Sequence, residues 1–308
     1  MTRPFERCCD AQRHCGKILK SRYNFNTISE NDIGEFEMSG QDWLKLELQN
    51  DGVMLVTMQN APVNAFNPKS LDELEALFVK LASDDATRAV VLASDLKVFS
   101  AGLNLKEAQH YDLAAQQAIV DGFHKTFLEI FEFPKPFIVA VEGAAIAGGF
   151  FPVICSDYRI AGSHATFGLA EVRVGVGMPA GLMEIIRSML SPNDLRRILQ
   201  NGAPISVNAA IQAGIVDELV QAGDALGQAL KVARDYAQIP PKAYATVKYQ
   251  NRQHAIEALK AEIAKSGRTG PVPWFTSETA GAMAKMIGYC TSRFCKINKY
   301  RLQIEGLT

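Results

Sequence analysis

The first clear alternation of hydrophobic and polar positions begins at Trp43. Leu44, Leu46 and Leu48 alternate with Lys45, Glu47 and Gln49, the period-two spacing of a strand with one buried face. Asp51-Gly52 is a turn signal, and Val53 to Met58 reads as the second arm of a hairpin. The period then lengthens. Leu71, Leu74, Leu77, Phe78 and Leu81 share one face of a helix that Asn67 caps and Pro68 opens.

Ala89 to Ala93 and Phe137 to Val141 are short unbroken apolar runs, as expected of strands covered on both sides. Each leads into a glycine-bearing loop, Ser100 to Asn104 after the first and Gly143 to Phe151 after the second. Helices are predicted from about Leu113 to Phe131 and from near Gly148. Strands and helices alternating through the body predict an α/β fold in stacked turns. From Asp224 onward the pattern is helical and rich in charge. The chain therefore divides into a loose extension over 1–40, an α/β core over 41–223, a helical region over 224–287 and an appended tail over 288–308.

Composition narrows the partners. With 32 basic and 33 acidic residues among 308, the net charge of −1 leaves no electrostatic footprint for nucleic acid. No apolar run is long enough to span a membrane, since Glu142 and several glycines interrupt the stretch from Phe137 to Pro152. Cys8, Cys9, Cys15, Cys290 and Cys295 lie near the ends of the chain. The adjacent Cys8-Cys9 pair lacks the spacing of a zinc site, so these read as reduced thiols and no metal is expected. Cys155, in an apolar run, reads as a small buried hydrophobe. Arg3, Arg7, Arg13, Lys17, Lys20 and Arg22 faintly suggest a transit peptide, while Glu6 and Asp10 argue against one. The expected location is the cytoplasm, with the mitochondrial matrix as the alternative if the extension acts as such a peptide.

The two glycine loops carry the candidate chemistry. Glycine lets the backbone approach a ligand closely, and a helix beginning near Gly148 would aim unpaired N–H groups at it. Two such donors converging on one point suit an oxygen on which negative charge develops. Read singly, each loop is equally a tight strand-to-helix turn.

Together, Val98 to Leu105 and Pro136 to Gly149 resemble the crotonase superfamily, the enoyl-CoA hydratases and isomerases. The resemblance continues through Ser156 to Ile160, Ala165 to Glu171 and Gly214 to Val220, in colinear order over about residues 43 to 265. It implies a spiral of ββα turns with C-terminal helices, assembled as trimers or hexamers. It also implies an acyl-CoA substrate, with coenzyme A belonging to the substrate and no separate cofactor. By the same resemblance the oxyanion hole takes its N–H groups from Leu103 and Gly148. Substrate is expected near Asn64, Ala65, Phe66, Ser100, Ala101, Gly102, Gly149 and Phe151.

The reaction turns on carboxylates. Hydratases of this family have two glutamates, and here the first of those positions holds Phe151 while the second holds Glu171. Adding water calls for one group to activate it and usually a second to manage the other proton. One carboxylate among phenylalanines suits a proton shuttle. The pattern resembles single-glutamate 3-enoyl-CoA to 2-enoyl-CoA isomerases, which implies Glu171 as base and then acid, with its pKa raised by apolar surroundings. Another crotonase reaction stays open, such as hydration, thioester hydrolysis or decarboxylation, with an acid supplied by Asp121 or Glu129. So does a non-catalytic CoA- or RNA-binding role. Three departures from the family pattern stand out: Asn104 in place of an aspartate, Pro152 within the expected inner helix, and one extra residue between Gly175 and Pro179. His110, His124, His164 and Glu142 read as structural or solvent-facing, and Lys242 and Lys248 as a solvated helix face within reach of CoA phosphates.

Overall fold

The computed structural model describes residues 43–269 and 272–288. The readings of the 1–40 extension, of the terminal cysteines and of the tail beyond 288 lie outside the described residues.

The predicted hairpin is present as β1 (Leu44–Leu48) and β2 (Val53–Met58), antiparallel with Leu46 opposite Val56. Strands β4 (Ala89–Ser94), β6 (Phe137–Val141), β8 (Tyr158–Gly162) and β11 (Glu218–Val220) extend it in parallel, giving the order β1-β2-β4-β6-β8-β11. Both faces of this sheet are covered, which is why its central strands read as unbroken apolar runs. On one face Val53, Leu55, Val91, Ile138 and Ile160 meet helix α8 (Ala225–Ala237) through Ala225, Ala229, Ala233 and Ala237. That i, i+4 stripe of methyl groups lets the helix lie close to the strands. On the other face Met54, Val56, Leu92 and Val139 join the main core.

That core is roofed by two helices. Helix α1 (Pro68–Ser83) has the predicted Asn67 cap, a capping box closed by Ser70, and Leu71, Leu74, Leu77, Phe78 and Leu81 all buried. Helix α3 (Leu113–Glu132) follows the short α2 (Leu105–Ala108), starts at the Asp112 cap and buries Phe123, Phe127 and Phe131. Two smaller sheets complete the turns: β3 (Ala65–Phe66) with β5 (Gly102–Leu103), and β7 (Ala144–Ile146) with β9 (Thr166–Gly168) and β10 (Ile205–Ser206). Each β-strand, small-sheet strand and helix repeats in sequence order, so the strands stack in layers.

The expected inner helix near Gly148 is shorter than its sequence suggests. A single 3-10 turn covers Ala147–Phe150, and α4 runs only over Phe151–Cys155, with Pro152 in its first turn where a missing N–H is harmless. Beyond it lie α5 (Ala180–Met189), α6 (Pro192–Asn201), α7 (Val207–Gln212) and, after α8, the long α9 (Pro241–Thr269) and a helix over 277–288. Among the described residues no helix is long and apolar enough to cross a membrane.

Helix α9 is fastened by charge. The Asp157 side chain, only 9% exposed, accepts hydrogen bonds from Lys248 Nζ at 2.6 Å, an Arg252 guanidinium nitrogen at 2.8 Å and the Phe137 N–H at 2.9 Å. Burial alone would raise its carboxyl, but the two cations hold it below the ordinary carboxylate value. Lys248, read from sequence as a solvated face, is thus interior, and burial pushes it down to about 8. The helical period shows a lysine on the polar stripe. It does not show that an aspartate from the end of another element waits opposite.

Candidate active site

The parallel registers bring the two glycine loops to one end of the layers. Ile146 of β7 lies beside Gly168 of β9. On the other side of β7, Ser100 bridges Ala145, with Ser100 N donating to Ala144 O and Ile146 N donating to Ser100 O. Segments that run parallel in register finish together. Leu103, Gly148 and Glu171 therefore leave three adjacent strands at the same end.

At Leu103 and Gly148 the two backbones nearly touch. A β-carbon on Gly102 would stand 2.6 Å from Gly148 N and 2.9 Å from Ile146 O, and Gly102 has φ +75°. Only glycine fits there. Asn104 N–H donates to Phe66 O at 2.8 Å, so the preceding N–H on the extended strand, that of Leu103, points to the opposite edge, toward the 147–150 turn. Gly148 is the second residue of that turn, too early to donate to a carbonyl inside it. Two backbone donors are thus presented side by side.

The groups predicted around substrate divide in two. Gly102, Leu103, Gly148 and Gly149 form the junction itself, and a β-carbon on Gly149 would strike Ser100 O at 2.4 Å. The side chains of Asn64, Phe66 and Ser100 lie inside. Asn64 is buried with φ +48°, donates to Phe99 O at 3.0 Å and Ser94 Oγ at 2.8 Å, and accepts from Asn60 N at 2.7 Å. Ser100 Oγ donates to Asn64 O at 2.7 Å. The Phe66 ring meets Trp43, Phe123 and Phe127 edge to face. These three side chains fix the loops, and Ala65 and Ala101 ride on them, with Ala101 N donating to Val63 O at 3.0 Å.

An apolar wall stands behind the junction. Phe123 is the ring that a β-carbon on Gly148 would meet, at 2.8 Å. Phe123 stacks on Phe127 with centroids 5.7 Å apart, and Phe127 stacks on Phe151 at 5.0 Å. Phe123 and Phe127 are visible in the sequence as an i, i+4 pair on a buried helix face. Their nearness to Gly148 depends on how α3 crosses α4, which no local pattern records.

Helix α4, which follows the Ala147–Phe150 turn, is held from its far end. Arg159 Nε donates to Val153 O at 3.0 Å, and Arg252 donates to Cys155 O at 2.8 Å. Both guanidinium groups also reach Ser156 O, at 2.9 and 3.1 Å. Cations on the last carbonyls of α4 satisfy its C-terminal groups and favour its dipole. Arg159 was legible only as part of a family motif, and Arg252 was not legible as a site-supporting residue.

Glu171 opens a 3-10 turn over Glu171–Val174 that closes on Gly175 with φ +70°. Its Oε2 is sealed from solvent and has no hydrogen-bond partner. Burial pushes the carboxyl from 4.5 up to about 7, against a smaller lowering by its own backbone N–H. Among the described residues it is the one carboxylate with a buried unpartnered oxygen. Asp121 accepts from Gln117 Nε2 at 2.8 Å, and Glu129 has partners of its own. Glu142 caps the chain elsewhere, accepting from Gly223 N and Ala225 N at 3.0 and 2.8 Å. His110 and His164 are exposed, whereas His124 is buried with both ring nitrogens unpartnered. Among the described residues no cluster of His, Cys, Asp or Glu could hold a metal ion.

Stacked strand–strand–helix turns, with two backbone donors meeting at a glycine junction, define the crotonase class of α/β folds. The sequence matches the family described as Enoyl-CoA hydratase/isomerase over residues 48–269, and the chain belongs to that family. Carnitinyl-CoA dehydratase of Shigella flexneri is 27% identical over 201 residues, covering 65% of this chain and 77% of that protein. The crystal structure of a probable enoyl-CoA hydratase from Mycobacterium tuberculosis H37Rv has a TM-score of 0.69 at 25% identity, covering 74% of this chain and 96% of its own. Human mitochondrial delta3-delta2-enoyl-CoA isomerase shares the fold, with a TM-score of 0.73 at 24% identity over 82% of this chain and 99% of its own.

Proposed function

We propose that this enzyme shifts the double bond of a 3-enoyl-CoA thioester to the 2-position, with Glu171 as the only proton carrier. The thioester oxygen lies between the N–H groups of Leu103 and Gly148. Glu171, ionised, takes a proton from C2, the carbon between the carbonyl and the alkene. The C2–H electrons form a C1–C2 double bond as the carbonyl π pair moves onto the oxygen, with the C3–C4 alkene still intact. The protonated Glu171 then delivers the same proton to C4. As it does so the carbonyl re-forms, the C1–C2 pair becomes the C2–C3 double bond and the old alkene pair binds the proton. Atoms balance with no water consumed and no cofactor required, because the thioester itself acidifies C2.

The observation that carries this reading is the lone buried oxygen of Glu171 with Phe151 standing where a second carboxylate would be needed. A base poised at about 7 is matched to proton transfer in both directions near neutral pH. The Phe123–Phe127–Phe151 stack excludes water, which would otherwise divert the reaction to hydration. A second reading, hydration or dehydration, is favoured by the likeness to carnitinyl-CoA dehydratase. Trimeric or hexameric self-association belongs to the same proposal. Product analysis with 3-enoyl-, 2-enoyl- and 3-hydroxyacyl-CoA separates the readings. Interconversion of the two enoyl thioesters without a hydroxyacyl product supports isomerisation, and a hydroxyacyl product supports the second reading.

A further inference from the structure

The segment 272–288 is tied both to the start of α3 and to the turn that follows Glu171. On one side Gln116, buried in the first turns of α3, accepts from Trp274 N and Phe275 N through Oε1, each at 3.2 Å. Its backbone carbonyl accepts from Trp274 Nε1 at 3.0 Å, and its Nε2 donates to Tyr111 O at 3.1 Å, in the loop that follows Leu103 and α2. On the other side Thr279, fully buried, places Oγ1 3.0 Å from Gly175 O. Gly175 is the residue on which the turn carrying Glu171 closes: its N–H turns back to the carbonyls of Glu171 and Val172, and Val176 N donates to Glu171 O at 3.0 Å. The fit is close, since a β-carbon on Gly175 would stand 3.1 Å from the Thr279 α-carbon.

We infer that Thr279 is a positioning residue for Glu171: its hydroxyl holds the Gly175 carbonyl and so fixes the direction in which the Glu171 carboxylate points. This rests on the proton-transfer role proposed for Glu171. The hydroxyl has one proton, shared between Gly175 O and Trp274 O at 3.1 Å, and Thr276 Oγ1 at 3.1 Å completes its surroundings. The opposite flank of the turn is already fixed, because Arg173 donates to Asn201 O at 2.8 Å and to Asn201 Oδ1 at 2.7 Å. With that flank held, losing the Thr279 bond lets the turn pivot and admits water to an oxygen that is now sealed. A base displaced by about 1 Å loses on the order of tenfold to a hundredfold in rate.

The test compares full-length wild type with Thr279→Val, Thr279→Ser and Glu171→Gln on a 3-enoyl-CoA. Valine keeps the shape and removes the hydroxyl, and serine restores it. The inference expects Thr279→Val to lower kcat about tenfold with KM changed less than about twofold. It also expects the acid limb of its pH profile to move below that of wild type as Glu171 becomes hydrated, and serine to recover both. If valine reduces the yield of folded protein, Thr279→Ala is read by the same criteria. Wild-type kcat and an unmoved pH limb in the folded variant overturn the inference, as does a loss that serine fails to recover. Glu171→Gln separates the two ideas. If it abolishes turnover while Thr279→Val does not alter it, only the positioning role fails. If it leaves turnover intact, both fail.

Discussion

A β-carbon on Gly102 would lie 2.6 Å from the backbone nitrogen of Gly148. The two donors proposed to hold the thioester oxygen are therefore locked to each other by the absence of one methyl group. Gly102→Ala adds that methyl at φ +75° and pushes the Gly148 N–H aside. The expected result is a loss of about 10² to 10³ in kcat. Circular dichroism should stay unchanged, since the junction lies at strand ends. Steady-state kinetics beside a melting curve checks it.

The raised carboxyl of Glu171 has a consequence for stability. The unfolded chain loses this proton near 4.5, whereas the folded protein keeps it to about 7. Deprotonation thus favours unfolding between those values. The cost is absent below about pH 4.5, grows as pH rises, and is complete above 7, amounting to at most about 3 kcal/mol. Glu171→Gln should be more stable than wild type at pH 8 and nearly equal to it at pH 4.5. Urea unfolding at the two pH values measures this directly.

Catalysis follows the opposite sense. The base must be ionised to accept a proton, so kcat/KM of wild type should rise through about pH 7 and level off above it. A profile flat from pH 5 to 9 would contradict Glu171 as the base.

His124 presents a different balance. Burial lowers its pKa below 6.5, and Asp121 on its own helix and Glu262 on α9 oppose this only in part. Gly181 and Leu259 pack around it and offer no hydrogen bond. The unfolded imidazole takes up a proton as pH falls through about 6.5 while the folded one stays neutral, so stability present above that value is lost below it. His124→Leu removes two orphaned polar atoms. The variant should match or exceed wild type at pH 8 and show a shallower loss at pH 5, read from urea midpoints.

At Asp157 the charges are satisfied, and removing one partner is the harmful change. Asp157→Asn leaves Lys248 and Arg252 buried without their anion, and a cost of about 3 to 5 kcal/mol is expected. Thermal melting should show a fall of many degrees. Activity per folded molecule should fall too, because Arg252 also holds the end of α4.

Much of this molecule is legible in local pattern. The Leu44/Leu46/Leu48 alternation, the Asn67-Pro68 helix start and the paired glycine loops are short-range signals, and each stands where its period puts it. Glu171 was legible through the family resemblance, and Phe151, apolar at the other glutamate position, narrowed the reaction expected of it. The supporting groups are another matter. Lys248 sits on what looks like a solvated stripe, Thr279 lies more than 100 positions from Gly175, and Phe123 is one apolar residue among many on α3. Their roles arise where distant elements cross, and no period along the chain encodes that.

The most direct test of the central claim follows 3-enoyl-CoA through wild type and Glu171→Gln side by side, with products identified by NMR. The account predicts 2-enoyl-CoA alone from wild type, and a fall of about 10³-fold or more in the variant with substrate affinity retained. A 3-hydroxyacyl product from wild type, or turnover by the variant within a few fold of it, would contradict the account.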